Sequence, residues 1–224
     1  MKNNFNKKII ERYSRQIVLK NVGTIGQKTI FNSKVLVVGA GGLGCPVADY
    51  LSRAGVGTLG IIDYDKISLS NIHRQSLYDS KDIGKFKVDV IKKKIKLINP
   101  LIKIKIFKKK ISDENIDNLI KNFDIIVDGS DNFKTKFLIN DYCKKLKKKL
   151  VTGAISKFDG HVFTFDFNDK KTASLKNFYQ ENEISDNDLN CEFEGVLGTT
   201  ASIVGTTQAN EALKMIMKIG QTLK

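Results

Sequence analysis

Apolar positions along the chain follow two rhythms. Short β-branched runs without alternation read as strands buried on both faces: Lys34–Val38 ending at Gly39, Thr58–Ile62 ending at Asp63, then 102–107, 124–127 and a run near Leu150-Val151. Between them the spacing turns helical. Val88, Ile91, Ile95 and Ile98 mark one face of a helix over 85–98 that stops at Asn99-Pro100. Further helices are predicted over 43–54, closed by Gly55-Val56-Gly57, and over 113–121 and 133–146. Strand–helix alternation with continuous apolar strands predicts an α/β, doubly wound, mostly parallel sheet covered on both faces. From His161 the pattern changes. Residues 161–167 alternate like a half-exposed strand, 168–189 are polar and acidic without clear periodicity, and 199–219 form an apolar helix. A segment as long as 168–189 without periodicity is expected to be mobile or functional.

Composition narrows the classes. A 41% hydrophobic content over 224 residues suits a globular protein with a sizeable core. The N-terminus has no apolar stretch typical of a secretory signal, and no apolar run is long enough to span a bilayer. A cytoplasmic protein without membrane attachment is the expectation. The formal charge of +14 invites a nucleic-acid reading. Yet the lysines sit in runs such as 92–94, 108–110 and 144–149, and no aromatic residues interleave with them as base-stacking platforms. A solvated lysine-rich surface, or an acidic protein partner, fits better than nucleic acid. Three scattered cysteines, Cys45, Cys143 and Cys191, make neither a disulfide framework nor a Cys-x-x-Cys zinc site.

One motif carries chemistry. Gly39-Ala40-Gly41-Gly42-Leu43-Gly44 follows the first strand and opens a helix. There the glycines allow a tight turn and close backbone approach, and the helix N-terminus offers free N–H groups to phosphate. Asp63 closes the second strand about twenty residues later, where a carboxylate can hold a ribose hydroxyl. The fold expectation is therefore Rossmann-like; the family resemblance carried by the motifs that follow implies an antiparallel C-terminal extension and a mobile crossover loop. It reads as a single domain over 1–224: N-terminal helices 1–33, a nucleotide-binding core 34–155, and a C-terminal strand, loop and helix 156–224. Dinucleotide oxidoreductases carry the glycine motif too, and the rest of the sequence has to decide.

After Asp63 the chain reads Tyr64-Asp65-Lys66-Ile67-Ser68-Leu69-Ser70-Asn71-Ile72-His73-Arg74-Gln75, then Gly84-Lys85-Phe86-Lys87, then Asp128-Gly129-Ser130-Asp131-Asn132. Arg12-Tyr13-Ser14-Arg15-Gln16 stands ahead of the first strand. In these motifs and their order the sequence resembles the MoeB/ThiF/HesA family, the bacterial relatives of ubiquitin-activating enzymes, from about Arg12 to Gly220.

The resemblance implies an adenylyltransferase that uses ATP to activate the C-terminal glycine carboxylate of a ubiquitin-like sulfur carrier ending in Gly-Gly. The carrier would be ThiS-like or MoaD-like, in thiamine or molybdopterin biosynthesis. By the same resemblance the glycine loop (Gly39, Gly41, Gly42, Gly44), Asp63, Asp65, Ser70 and Asn71 form the nucleotide pocket with Asn132. Arg74 and Lys87 meet the phosphates, Asp131 binds Mg²⁺, and Arg15 reaches the triphosphate of a neighbouring subunit in a homodimer. Many relatives bind zinc through two Cys-x-x-Cys pairs. Here the first pair's place, 172–179, holds no cysteine, and the chain stops at Lys224 before the second, so no zinc is expected. No rhodanese-like extension is present, which puts the sulfur donor in trans. Cys191 lies where one branch of the family forms a covalent link to the carrier, although Glu192 and Glu194 would oppose its thiolate. Cys45 and Cys143 read as packing residues. A non-catalytic carrier-binding partner of the same fold is the alternative, and an NAD-dependent oxidoreductase is a further one.

Overall fold

The computed structural model describes residues 6–179 and 195–223. Three helices, α1 (Lys7–Arg12), α2 (Ser14–Ile17) and α3 (Gly23–Asn32), lead into β1 (Lys34–Val38). The core then alternates: α4 (Gly44–Ala54), β2 (Thr58–Ile62), α5 (Lys87–Ile98), β3 (Lys103–Phe107), α6 (Asp113–Ile120), β4 (Ile125–Asp128), α7 (Phe133–Lys145) and β5 (Lys149–Ser156). A hairpin adds β6 (Asp159–Asp166), and α8 (Gly198–Met217) follows the undescribed segment.

The six strands lie in the order β3-β2-β1-β4-β5-β6, all pairs parallel except β5–β6. Alternation along β1 explains the two layers. Val35 and Val37 face a core with Ile91 and Ile95 of α5 and Ala209 and Ala212 of α8. Leu36 and Val38 face a second core with Ile116 and Ile120 of α6 and Phe137 of α7. Full burial of each such side chain is worth roughly 1.5–3 kcal/mol, so both faces hold the sheet. On the first face α4 and α5 cover β1–β3, while α8 packs on α4, β4, β5 and β6. Buried Asn99, just beyond α5, donates to the Tyr13 hydroxyl at 2.8 Å and the Ser52 carbonyl at 2.7 Å, fastening the N-terminal helices to α4.

Two expectations need correction. The fifth strand is not a short run at Leu150-Val151 but eight residues long, because Thr152-Gly153-Ala154 pair antiparallel with Phe163-Val162-His161. The opening of the stretch expected to be mobile is anchored: Leu175 is buried, its N–H donates to Asn140 Oδ1 at 3.0 Å, and Phe178 packs on Phe163 with ring centroids 4.7 Å apart. The remainder of that stretch, and Cys191, lie outside the described residues.

Candidate nucleotide site

The chain leaves β1 for β2 and β3 on one side and returns to β4 on the other. The carboxyl ends of β1 and β4 therefore flank a topological switch point, where open α/β sheets bind ligands. A cavity of about 490 Å³ runs along that edge. Gly39 sits at φ +89°, and a Cβ there would lie 2.7 Å from the Gly129 carbonyl oxygen. A Cβ on Gly44 would fall 1.9 Å from the Gly39 carbonyl oxygen, so only glycine lets α4 start this close to the strand. Gly39, Gly41 and Gly42 line the cavity; Gly44 shapes it from behind.

Ala40 between them is held on both sides. Its N–H donates to Asp63 Oδ2 at 2.7 Å, and its carbonyl accepts from the Tyr78 hydroxyl at 2.7 Å and from Cys45 Sγ at 3.5 Å. Asp63 Oδ1 accepts from the Asp65 N–H at 2.7 Å. Burial raises the Asp63 carboxyl above its ordinary value, against the opposing pull of Lys87 and the two N–H groups. Burial likewise pushes the Tyr78 phenol up, and the Cys45 thiol up to about 12. Tyr78 and Cys45 thus act as neutral donors under the loop, while Asp63 accepts from its backbone.

Around the loop the charged residues divide. Lys87, nearly buried, spans 2.8 Å to Asp65 Oδ2, and its own N–H donates to the Asp65 carbonyl at 3.0 Å. Buried Lys136 contacts Asp128 Oδ2 at 3.1 Å and the Gly153 carbonyl at 2.5 Å. Asp128 also accepts from the Ser130 N–H and hydroxyl and from Thr152 Oγ1. Arg74 Nη1 donates to the Ser70 carbonyl and to His73 Nε2, both at 2.8 Å. A guanidinium has no acceptor, so His73 takes this bond at Nε2 and orients the arginine. Asn71 caps a short 3₁₀ turn through the Ser68 N–H at 3.1 Å.

Asp131 is exposed in the cavity, and among the described residues its only side-chain hydrogen bond is from Asn132 Nδ2 to Oδ1 at 3.1 Å. Asn132 caps α7, accepting from the Thr135 N–H at 2.9 Å. Among the described residues no group of three or more His, Cys, Asp or Glu is placed to hold a metal ion. One largely free carboxylate beside the glycine loop nonetheless suits Mg²⁺, which takes one or two protein carboxylates and completes its shell with phosphate oxygens when a nucleotide is bound.

Asp63, Asp65, Asn71, Arg74, Lys87, Asp131 and Asn132 all line this cavity. Ser70 does not; its hydroxyl bonds to that of Ser68, which does. Arg15 is exposed on α2, away from the cavity of its own chain. Sequence reading missed Lys66, Lys109, Lys110, Lys136, His161 and Tyr179, which also line it. Lys109 and Lys110 looked like solvated surface because a lysine run carries no periodicity; only the pairing of β3 with β2 brings them to the edge. Lys136 carried one signal, its position one turn into the helix after Asp128.

The chain matches the ThiF family over residues 13–224. It is 38% identical to the sulfur carrier protein adenylyltransferase of Thermus thermophilus, over 97% of this chain and 81% of that protein. It is also 38% identical to a probable molybdopterin-synthase adenylyltransferase of Gracilaria tenuistipitata, over 95% of this chain and 59% of the relative. Against Dictyostelium discoideum MOCS3, an adenylyltransferase and sulfurtransferase, identity is 39%, covering 92% of this chain and 48% of the relative. The chain thus spans between about half and four-fifths of the length of these relatives. In fold it superposes on E. coli MccB with ATP at a TM-score of 0.81, with 22% identity, covering 99% of this chain and 67% of that one. E. coli TcdA with AMP gives 0.76 at 19% identity, covering 96% and 98%. With the family match spanning nearly its whole length and the glycine loop, Asp63 and Asp131 set on one cavity, the chain belongs to the ThiF family.

Proposed function

We propose that this protein uses ATP to adenylate the C-terminal carboxylate of a ubiquitin-like sulfur carrier ending in Gly-Gly, releasing pyrophosphate, in thiamine or molybdopterin biosynthesis. The observation that carries this reading is the convergence of Arg74, Lys87 and Asp131 with the glycine loop on one cavity at the switch point. Relatives named as a sulfur carrier protein adenylyltransferase and a probable molybdopterin-synthase adenylyltransferase support it.

The chemistry asks little proton transfer of the protein. A carboxylate with a reference pKa of about 3.5 is already ionised and attacks without a general base. Its oxygen forms a bond to the α-phosphorus as the bond to the β-phosphate oxygen breaks, and the electron pair leaves with pyrophosphate. The difficulty is bringing one anion to another, so positioning and charge neutralisation must supply the acceleration. Arg74, oriented by His73, and Lys87, oriented by Asp65, present cations whose directions are fixed beforehand. The Gly41–Gly42 backbone and the start of α4 receive phosphate, and Asp63 receives the ribose. Asp131 would hold Mg²⁺, which neutralises phosphate charge when bound. Arg15 completes the site of a second copy in a homodimer, and a separate protein supplies sulfur.

The test is carrier-dependent ATP–pyrophosphate exchange with a panel of ThiS-like and MoaD-like carriers. Arg74→Ala and Asp131→Ala should each abolish exchange while leaving the circular dichroism spectrum and melting transition unchanged. Full exchange in either variant would remove that residue from the mechanism. Absence of exchange in the unmodified protein with every carrier would favour a binding role without catalysis.

A further inference from the structure

The strand order acts as a ruler along the cavity. Ile62, Asp63 and Tyr64 at the end of β2, and Lys109–Ile111 beyond β3, line one end. The glycine loop and Asp131 occupy the middle, above β1 and β4. Ala154–Ser156, Asp159–His161 and Tyr179 line the other end, above β5 and β6. Neighbouring strands lie about 4.8 Å apart, so the cavity spans roughly 24 Å of sheet edge. A nucleotide whose ribose meets Asp63 and whose phosphates meet the glycine loop occupies the β2–β4 part. The β5–β6 end lies outside its reach and is left for the second substrate.

That end is built as an aromatic wall. The ring of Tyr179 meets Phe133 edge-on, with centroids 4.9 Å apart, and lies nearly parallel to His161 at 6.3 Å and 27°. Phe163 on β6 and Phe178, just after a 3₁₀ turn at Leu175–Asn177, back the pair. His161 Nδ1 and the Tyr179 hydroxyl are hydrogen-bonded to each other at 2.6 Å. That bond joins the two side chains into one unit, and both line the cavity. Asp159 supplies the negative charge at this end.

We infer that His161 and Tyr179 are specificity-determining residues that read the third residue from the carboxyl end of the acyl substrate and select an apolar side chain there. This rests on the carrier-adenylation reading. An attacking carboxylate must lie at the β1–β4 gap to reach the α-phosphate. From β4 to β6 is two strand spacings, about 10 Å, which an extended peptide covers in about three residues at about 3.3 Å each. The two terminal residues cross β4 and β5, and the side chain of the third arrives against the rings of His161 and Tyr179. An apolar group gains contact with the aromatic faces. A carboxylate there gives up water and meets the negative charge of Asp159.

The experiment is ATP–pyrophosphate exchange with the carrier that supports it, in two forms: apolar at the third residue from the end, and Asp at that residue. The unmodified enzyme should show a KM for the Asp carrier about tenfold higher, the scale of one lost side-chain contact. In Tyr179→Ala and His161→Ala that discrimination should shrink to about twofold, with the KM for ATP unmoved, the signature of coupling in a double-mutant cycle. Tyr179→Phe, which keeps the ring, should restore most of the discrimination. Undiminished discrimination in both alanine variants would overturn the assignment while leaving adenylation standing. So would a rise in the KM for ATP matching that for the carrier. Failure of the unmodified enzyme to exchange with any carrier would instead overturn the adenylation reading and this inference with it.

Discussion

Replacing Lys136 with methionine isolates the ion pair beneath the cavity floor. Lys136 and Asp128 have side chains 4% and 1% exposed, so removing the cation leaves a carboxylate that water does not reach. Breaking such a pair from one side costs roughly 3–5 kcal/mol. Three donors remain on Asp128, from the Ser130 N–H and hydroxyl and from Thr152, which places the expected loss near the lower bound, about 3 kcal/mol. For a chain of this length each kcal/mol moves the melting midpoint about 2–4 °C, so a fall of about 6–12 °C is expected. Urea unfolding followed by circular dichroism measures the free energy directly. Lys136→Arg should recover much of the loss. Pairing Lys136→Met with Asp128→Asn should recover more than half of it, because the stranded charge is then gone. A cost below about 1 kcal/mol for Lys136→Met would refute the reasoning, since the pair would then behave like a solvated one.

Two further outcomes are expected. Burial raises the thiol pKa of both Cys45 and Cys143, so in a Cys191→Ser variant the native protein at pH 8 should give no rapid reaction with a thiol reagent; both cysteines should react after unfolding. Rapid labelling of the native variant would show that one of these sites opens to solvent. On the homodimer proposed above, mixing Arg15→Ala and Arg74→Ala proteins should restore about a quarter of exchange activity, because half of randomly assembled dimers would carry one intact composite site; no recovery after mixed refolding would place Arg15 outside the partner's site.

The central sheet was legible because each parallel strand is buried on both faces and must be continuously apolar, as Val35–Val38 and Leu59–Ile62 are. The glycine loop, Asp63 and Asp131 were legible because they immediately follow such strands. What escaped was tertiary. Thr152-Gly153-Ala154 have the small residues of a turn, and only β6 alongside makes them strand. The anchoring of Leu175, Phe178 and Tyr179 follows no helical or strand period, because these residues pack as single side chains against β6 and α7. The double commitment of Lys136 to Asp128 and Gly153 depends on α7 and β5 meeting across β4, which no local pattern encodes. The site's composition was therefore readable where it lies on strand ends and unreadable where it lies on packing between elements.

The position of α8 has a consequence for synthesis. This helix covers the first face of β4 and β5, yet it is separated from β5 by more than forty residues of chain. Until α8 has folded onto the sheet, Ile125, Val127 and Val151 have strand partners but no helix over that face. The nascent chain therefore passes through an interval with one apolar face uncovered, a surface that invites chaperone binding or aggregation.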